Sequence, residues 1–369
     1  MSSRKLLKKQ RATLKDVADA AGVSTAAASL VLNDKPNRFT EETRESIRHA
    51  AQELGYVPNQ SARSLATQSS SLFALIIPDI ENLFFASLAK HIEDECRKLG
   101  YSLLIVDTGE NAKEQNAAIK RMIQLGVDGL FMVPAYGSPR DVTHLEAALE
   151  SAQFPVIFID RYFTGVHMSL REVRWDSFAY DHVRGGMLVA DLLADLGHTN
   201  IGIIGPHVFE DYADSARFDG FIRQLSSRGI VVNSAVVKTG PYSVSTGYEY
   251  ADDLIDKNVT AVFCGNDLIA LGFMRRLGER GLSVPEDMSV VGYDDVMNSF
   301  GLDFKLTTVR QDVNTLAQAG MSKMMKLREG SLTQKKSRQA KTQEDANVAE
   351  VTLLMPQIVR RGTVARLKD

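Results

Sequence analysis

The chain has 369 residues, 44% of them hydrophobic and 24% charged, with a formal net charge of −3. That supplies apolar material for more than one core and excludes bulk disorder. Its two cysteines, Cys96 and Cys264, exclude a disulfide framework and read as reduced structural thiols in a cytosol. At the N-terminus, MSSRKLLKKQRATLKDVA is basic, but no long apolar run follows. It reads as neither a secretory signal nor a membrane span, and an intracellular protein is expected. Residues 1–70 hold 11 Lys or Arg against 7 Asp or Glu, whereas the remaining 299 hold 32 against 39. A basic small end on an acidic body suits a polyanion bound at one end, although a solvated basic tail has the same charge.

Thr13 is a good N-cap, with Asp16 three residues on to favour the first turn. Leu14, Val17, Ala18 and Ala21 follow at helical spacing, and Gly22 permits a tight turn. Ser24 or Thr25 begins a second helix with Ala28, Val31 and Leu32 inside, and Asn33–Pro36 reads as a turn. Thr40 caps a third helix, buried through Ile47, Ala50, Ala51 and Leu54 and ended by Gly55. Helix, glycine turn, helix is the outline of a helix-turn-helix, though other three-helix bundles share this periodicity.

The strings ATLKDVADAAGVSTAAASLVLNDKP and TEETRESIRHAAQELGYVPNQSARSLA, between Ala12 and Ala66, closely resemble the DNA-binding domain of the lactose-repressor/galactose-repressor family. The resemblance implies that Thr25, Ala26, Ser29 and Leu30, on the second helix, face base edges in the major groove. Thr13, Ser24, Thr25 and Ser29 supply hydroxyls for phosphate or base contacts. Ala26, Ala27 and Leu30 depart from the family's usual side chains. Where an arginine commonly forks onto guanine, Leu30 offers only apolar contact, so a different operator, or more recognition in the hinge, is expected.

By itself, the segment Pro58–Ala66 is a linker with a helical turn. The resemblance implies a hinge helix that folds on DNA. Leu65 falls at the minor-groove wedge position, Asn59 and Ala62 at positions approaching backbone and groove, and Arg63 at a phosphate-contacting one. A helix this short does not persist alone in water, so its folding can be coupled to DNA binding.

From Leu72, short apolar strands alternate with amphipathic helices: strands at Leu72–Ile77, Ser102–Val106, Gly129–Val133 and Val156–Ile159, helices at Phe84–Leu99, Ala112–Leu125 and Val142–Ser151. The pattern restarts with helices at Asp181–Leu196, Ala213–Arg228, Ser245–Lys257 and Leu268–Arg280 and strands at Ile201–Ile204, Val236, Ala261–Cys264 and Val290–Gly292. Two such units predict two lobes with a ligand cleft beyond the strand ends, where Asp79, Asp160, Arg161, Asn266, Asp267, Asp294 and Asp295 lie. Any one of these carboxylates is equally a helix cap, and Asp267 is expected to be partly structural. Together with Arg161 and Arg217 they suit a polyol.

The remainder also resembles the family, and the core looks like periplasmic sugar-binding proteins. IIPDIENLFFASLAKHIEDECRKLGYSLL, PVIFIDR, SARFDGF, AVFCGNDLIALG, VPEDMSVVGYDD and LTTVRQD carry this likeness. It implies effector contacts from Asp160, Arg161, Arg217, Asn266, Asp294 and Gln311, with Arg217 and Asp294 foremost. Phe84 and Phe85 fall at an aromatic wall position, with core packing as their other role. The family's Asn-Pro-Phe-Phe stands here as Asn82-Leu83-Phe84-Phe85, and its Asp-Asn pair is read as Asp176-Ser177. Trp175 either lines the cleft or packs. The polar stretch Thr333–Glu350 is expected to be an exposed insertion.

The expected fold is a small all-α helix-turn-helix headpiece (1–57), a hinge (58–71), and an α/β two-lobed, periplasmic-binding-protein-like core with parallel sheets (72–369). The first lobe takes about 72–162 and 306–330, the second about 172–300 and 350–362. The expected function is operator-specific transcriptional repression, controlled by a sugar or sugar derivative, with a nucleobase or phosphate ester as the other ligand classes. A palindromic or pseudo-palindromic operator and a homodimer, or else a tetramer, are the expected partners. No cofactor, metal site or enzyme motif is read, and a solute sensor without operator control is the alternative function.

Overall fold

A computed structural model describes residues 12–33, 36, 38–57, 69–135, 139–162, 175–206, 208, 215–299, 301, 305–336 and 349–367. The chain divides into two compact units, Met1–Ser70 and Ser71–Asp369.

In the first unit lie α1 (Leu14–Ala20), α2 (Thr25–Leu32) and α3 (Glu41–Glu53). Each begins at the expected cap. Thr13 and Asp16 form a capping box, Ser24 Oγ accepts from the Ala27 amide, and Thr40 accepts from that of Thr43. Such a cap is worth about 1 kcal/mol. Gly22 takes φ +66° in the turn between α1 and α2, where a side chain would be strained. Val17, Ala18, Ala28, Val31, Ile47, Ala50 and Ala51 form the core, with Phe39 and Tyr56 packed against it. The alanines let the helices approach closely, so Ile47, fully buried among them, holds much of the apolar area. Its truncation to Ala is expected to cost about 2–5 kcal/mol.

The second unit holds two six-stranded sheets. In chain order its elements are β1 (Leu72–Ile77), α4 (Leu83–Lys98), β2 (Ser102–Asp107), α5 (Ala112–Leu125), β3 (Gly129–Met132), α6 (Pro139–Glu150), β4 (Val156–Ile159), β5 (Asp176–Tyr180), α7 (His182–Asp195), β6 (Ile201–Gly205), α8 (Ala216–Ser227), β7 (Val237–Thr239), α9 (Val244–Asp256), β8 (Ala261–Cys264), α10 (Asp267–Glu279), β9 (Ser289–Asp294), α11 (Val296–Ser299), β10 (Thr307–Arg310), α12 (Val313–Lys336), β11 (Val351–Leu354) and β12 (Gln357–Val359). The first lobe's sheet runs β11-β5-β4-β3-β1-β2, and the second's β12-β10-β9-β8-β6-β7. Every pairing is parallel except β10 with β12. Helices cover both faces, so β1, β3, β4 and β8 read as unbroken apolar runs.

Three expectations about the lobes are corrected. Val351–Leu354 pairs with β5 in the first lobe, not in the second. The stretch 176–180 also belongs to the first lobe, beside β4. Thr307–Arg310 joins β9 in the second lobe, and only the helix after it returns to the first, through Leu316, Ala317, Met321 and Met324. Short buried strands have the same composition in either sheet, so the sequence does not encode which one they enter. Val236 ends a single 3-10 turn, and its strand begins one residue later.

The chain therefore crosses between lobes three times: after β5, after β10 and after β11. The first crossing is tied to the third by the Asp181 amide, which donates to the Leu354 carbonyl at 2.9 Å. Within the second lobe, α7 and α8 touch backbone to backbone. A Cβ on Gly186 would meet the Arg217 carbonyl oxygen at 1.8 Å.

Candidate functional site

An open cleft lies between the two lobes, with about 360 Å³ of empty space that includes the solvent at its mouth. Asn82, Phe84, Phe85, Asp160 and Arg161 line it from the first lobe, and Arg217, Tyr242, Asn266 and Asp294 from the second. His182 and Gln311 line it just past the first two crossings. All eight effector candidates named from the sequence are thus in one cleft, at strand ends and helix starts.

Arg217 sits in the first turn of α8 and is 5% exposed. Its Nη1 donates to the Gly265 carbonyl at 2.6 Å and lies 3.8 Å from Asp294 Oδ1. The guanidinium covers the Tyr293 ring at 4.1 Å and the Tyr242 ring at 5.3 Å. Burial works against its charge, but Tyr242, Tyr293 and Asp294 more than offset this, so it stays protonated. Its buried Nε has no hydrogen-bond partner.

Asp294, the last residue of β9, holds a left-handed φ of +102°. Its Oδ1 accepts from Gln311 Nε2 at 2.7 Å, which leaves buried Gln311 Oε1 without a partner. Burial pushes the Asp294 carboxyl up, against the pull of Arg217 and the Gln311 amide. Asn266 caps α10 by accepting from the Ile269 amide at 2.9 Å. Asn82 caps α4 in the same way, accepting from Phe84 at 3.0 Å.

Across the cleft, Asp160 also has positive φ, +68°, with its amide bonded to the Phe178 carbonyl at 2.8 Å. His182 Nε2 stands 3.7 Å from Asp160 Oδ1, and its Nδ1 is 3.2 Å from the Tyr293 hydroxyl. Burial first, then the Arg217 charge, holds this imidazole down to about 3, so it is neutral. Gly185 makes the arrangement possible, since a Cβ there would lie 2.1 Å from the Tyr293 oxygen. Arg161 is buried against Phe85 (5.6 Å), with Nη1 donating to Glu110 Oε1 at 2.5 Å and to the Pro134 carbonyl at 3.0 Å.

The other strand-end carboxylates are structural. Asp267 accepts from the Thr308 hydroxyl (2.7 Å) and the Val296 amide (2.9 Å), joining β10 to the start of α11. Asp295 is clamped by Arg310 and Arg361. Asp79 accepts from the Glu81 amide in a turn. Asp176 and Ser177 lie at the far end of β5, where Asp176 pairs with Lys323 at 2.9 Å; His182, just past the other end, lines the cleft. Trp175 packs edge-on against Phe158 in the first-lobe core.

Three lining residues lie beyond what the sequence marks. Asn82 stands out there only within an altered motif. His182 reads as a helix histidine with no nucleophile beside it. Tyr242 carries no signal, although it follows the β7 strand end through Gly240 and Pro241.

On the small unit, Thr25 and Ala26 are exposed, and Ser29 and Leu30 are half-buried along the same helix. The Thr13 hydroxyl is committed to Asp16 and the Ser24 hydroxyl to its cap. Asn59, Ala62, Arg63 and Leu65 lie outside the described residues.

Residues 13–59 match the family model "Bacterial regulatory proteins, lacI family". Over 308 residues the chain is 34% identical to the HTH-type transcriptional repressor PurR of Pasteurella multocida (strain Pm70), covering 83% of this chain and 88% of that one. The chain belongs to the lacI family. Residues 190–364 of this lacI-family regulator match a periplasmic binding protein-like domain. Its fold is similar to that of the lac repressor dimer bound to operator and the anti-inducer ONPF, with TM-score 0.79, 26% identity, and coverage of 96% of this chain and 100% of that one. A LacI family transcriptional regulator from Enterococcus faecium with bound ribose is also similar, with TM-score 0.63, 26% identity, and coverage of 80% and 100%. As a lacI-family member the protein is a sequence-specific DNA-binding regulator, not an enzyme. Among the described residues, no helix is long and apolar enough to cross a membrane.

Proposed function

We propose that this regulator represses transcription from a palindromic or pseudo-palindromic operator, and that a sugar or sugar derivative held in the cleft sets its operator affinity. The observation that carries the ligand reading is that two lining residues, Arg217 and Gln311, each hold one unsatisfied polar atom, Nε and Oε1. One is a donor and the other an acceptor, both are buried, and neither has a partner. Desolvating such atoms costs about 1–3 kcal/mol each, which a ligand hydroxyl recovers. Phe84, Phe85 and Tyr242 add ring surface for the apolar face of a sugar.

Closure of the lobes around the ligand, about the three crossings, changes how the first lobes of a homodimer sit. That spacing decides whether two headpieces meet two half-sites. On DNA, Thr25, Ala26, Ser29 and Leu30 face the bases, and the segment holding Asn59, Ala62, Arg63 and Leu65 enters the minor groove. The similar structures bound to operator, to an anti-inducer and to ribose support this reading. A thermal-shift screen of carbohydrates and nucleobases, followed by operator titration with each hit, tests it. Sugar hits that alter operator affinity are expected; hits confined to nucleobases would overturn the ligand assignment.

A further inference from the structure

Glu110 lies in the loop after β2, where it takes a left-handed φ of +58° that a non-glycine residue seldom adopts. Its amide donates to the Pro78 carbonyl at 2.8 Å, which holds it in place. Its carboxylate receives Arg161 Nη1 at 2.5 Å and Nη2 at 3.4 Å, a two-pronged pairing at the edge of the cleft. The Arg161 side chain is 5% exposed and that of Glu110 35%, so the pair spans cleft wall and solvent.

We propose that Glu110 sets the charge class of the effector: by cancelling Arg161 it restricts the cleft to uncharged polyols and shuts out phosphate esters and sugar acids. This rests on the cleft being the effector site. Arg217 already faces Asp294, and Asp160 adds a second carboxylate to the lining. Among the described residues, lining guanidiniums and carboxylates are therefore equal in number, and Glu110 tips that balance negative. The imidazole of His182 contributes no charge. A hydroxyl can both donate, as Gln311 Oε1 requires, and accept, as Arg217 Nε requires. A phosphate dianion can only accept, so it cannot serve Gln311 Oε1, and it would sit beside two carboxylates with each guanidinium already facing a carboxylate of its own.

The test is calorimetric titration of the full chain with matched probes: D-ribose and its 5-phosphate, D-glucose and its 6-phosphate, D-glucose and D-gluconate. Wild-type protein is expected to bind only uncharged members. In Glu110→Gln the affinity of an ester relative to its parent sugar should rise about tenfold or more, because the Arg161 charge is no longer cancelled. Glu110→Asp, which keeps the charge, should keep the wild-type ratio. Wild type binding an ester or acid more tightly than its parent overturns the assignment, as does an unchanged ratio in Glu110→Gln. The wild-type comparison alone decides if that variant does not melt cooperatively. If neither protein binds any probe, the effector-site reading falls first, and the role of Glu110 falls with it.

Discussion

The Tyr180 hydroxyl lies 2.8 Å from the amide nitrogen of Asp312 and 3.1 Å from its carbonyl oxygen, so one side chain, at the end of β5, ties the first lobe crossing to the second. Removing it leaves two partly buried backbone groups short of a partner. Tyr180→Phe should lower unfolding stability by about 1–3 kcal/mol. Urea unfolding of the full chain checks this; an unchanged midpoint and slope would show that the tie contributes nothing.

On the proposed reading, Arg217 and Asp294 are the pair on which ligand binding leans most. Asp294→Ala removes an acceptor and leaves the guanidinium without its carboxylate. Effector affinity should fall by about 10–100-fold, the worth of one or two hydrogen bonds to charged groups. Calorimetry with the effector found by screening reads this directly, and an affinity within a factor of two of wild type counts against the site.

Helix approach sets where Arg217 stands. Gly186→Ala puts a methyl group 1.8 Å from the Arg217 carbonyl oxygen, so α7 and α8 must move apart. Overpacking of this kind costs about 1–3 kcal/mol, and the shift carries the guanidinium away from Asp294. A drop in melting temperature together with weaker effector binding is expected. Weaker stability at full effector affinity would separate packing from the site.

Proton linkage gives a further test. His182 in the folded protein is held down to about 3, below its ordinary 6.5, by burial and the Arg217 charge, with Arg161 acting in the same direction. The unfolded chain therefore takes up a proton first as pH falls. The contribution of this residue is complete above about 6.5 and is lost progressively below it, with a slope near 1.4 kcal/mol per pH unit. Asp160, Arg161, Arg217 and Tyr293 face the ring, and His198 is lowered by burial as well, so it acts in the same direction. Comparing wild type with His182→Gln at pH 7, 6 and 5 isolates the term. The variant's stability should fall less steeply; parallel profiles would sink the idea.

Leu65→Ala should weaken operator binding much more than effector binding, since an apolar wedge stabilises only the bent duplex. Mobility-shift and calorimetric titrations of the same variant give the two numbers, and equal operator affinity refutes the wedge.

Local chemistry makes much of the fold legible in the sequence. Thr13, Ser24 and Thr40 mark helix starts, because a cap acts over three residues. Arg217, Asp294 and Gln311 are marked by motif likeness, and the fold brings them into one cleft. His182 and Tyr242 are not legible in this way, because nothing near them in sequence marks them. Tyr293, which His182 contacts, is 111 residues away. The sheet membership of Val351–Leu354 and Thr307–Arg310 is hidden for a related reason, since a four-residue apolar strand fits either lobe. Glu110, a surface carboxylate in sequence, acquires meaning only through Arg161, 51 residues on.

The most direct measurement is a titration of selected operator duplex with full-length protein, with and without the effector, in wild type and in Arg217→Ala. Sequence-selective binding is expected, with an affinity that shifts about tenfold or more with effector in wild type and little in the variant, a difference of about 1.4 kcal/mol. No preference among duplex sequences, or an effector response that survives loss of Arg217, would contradict it.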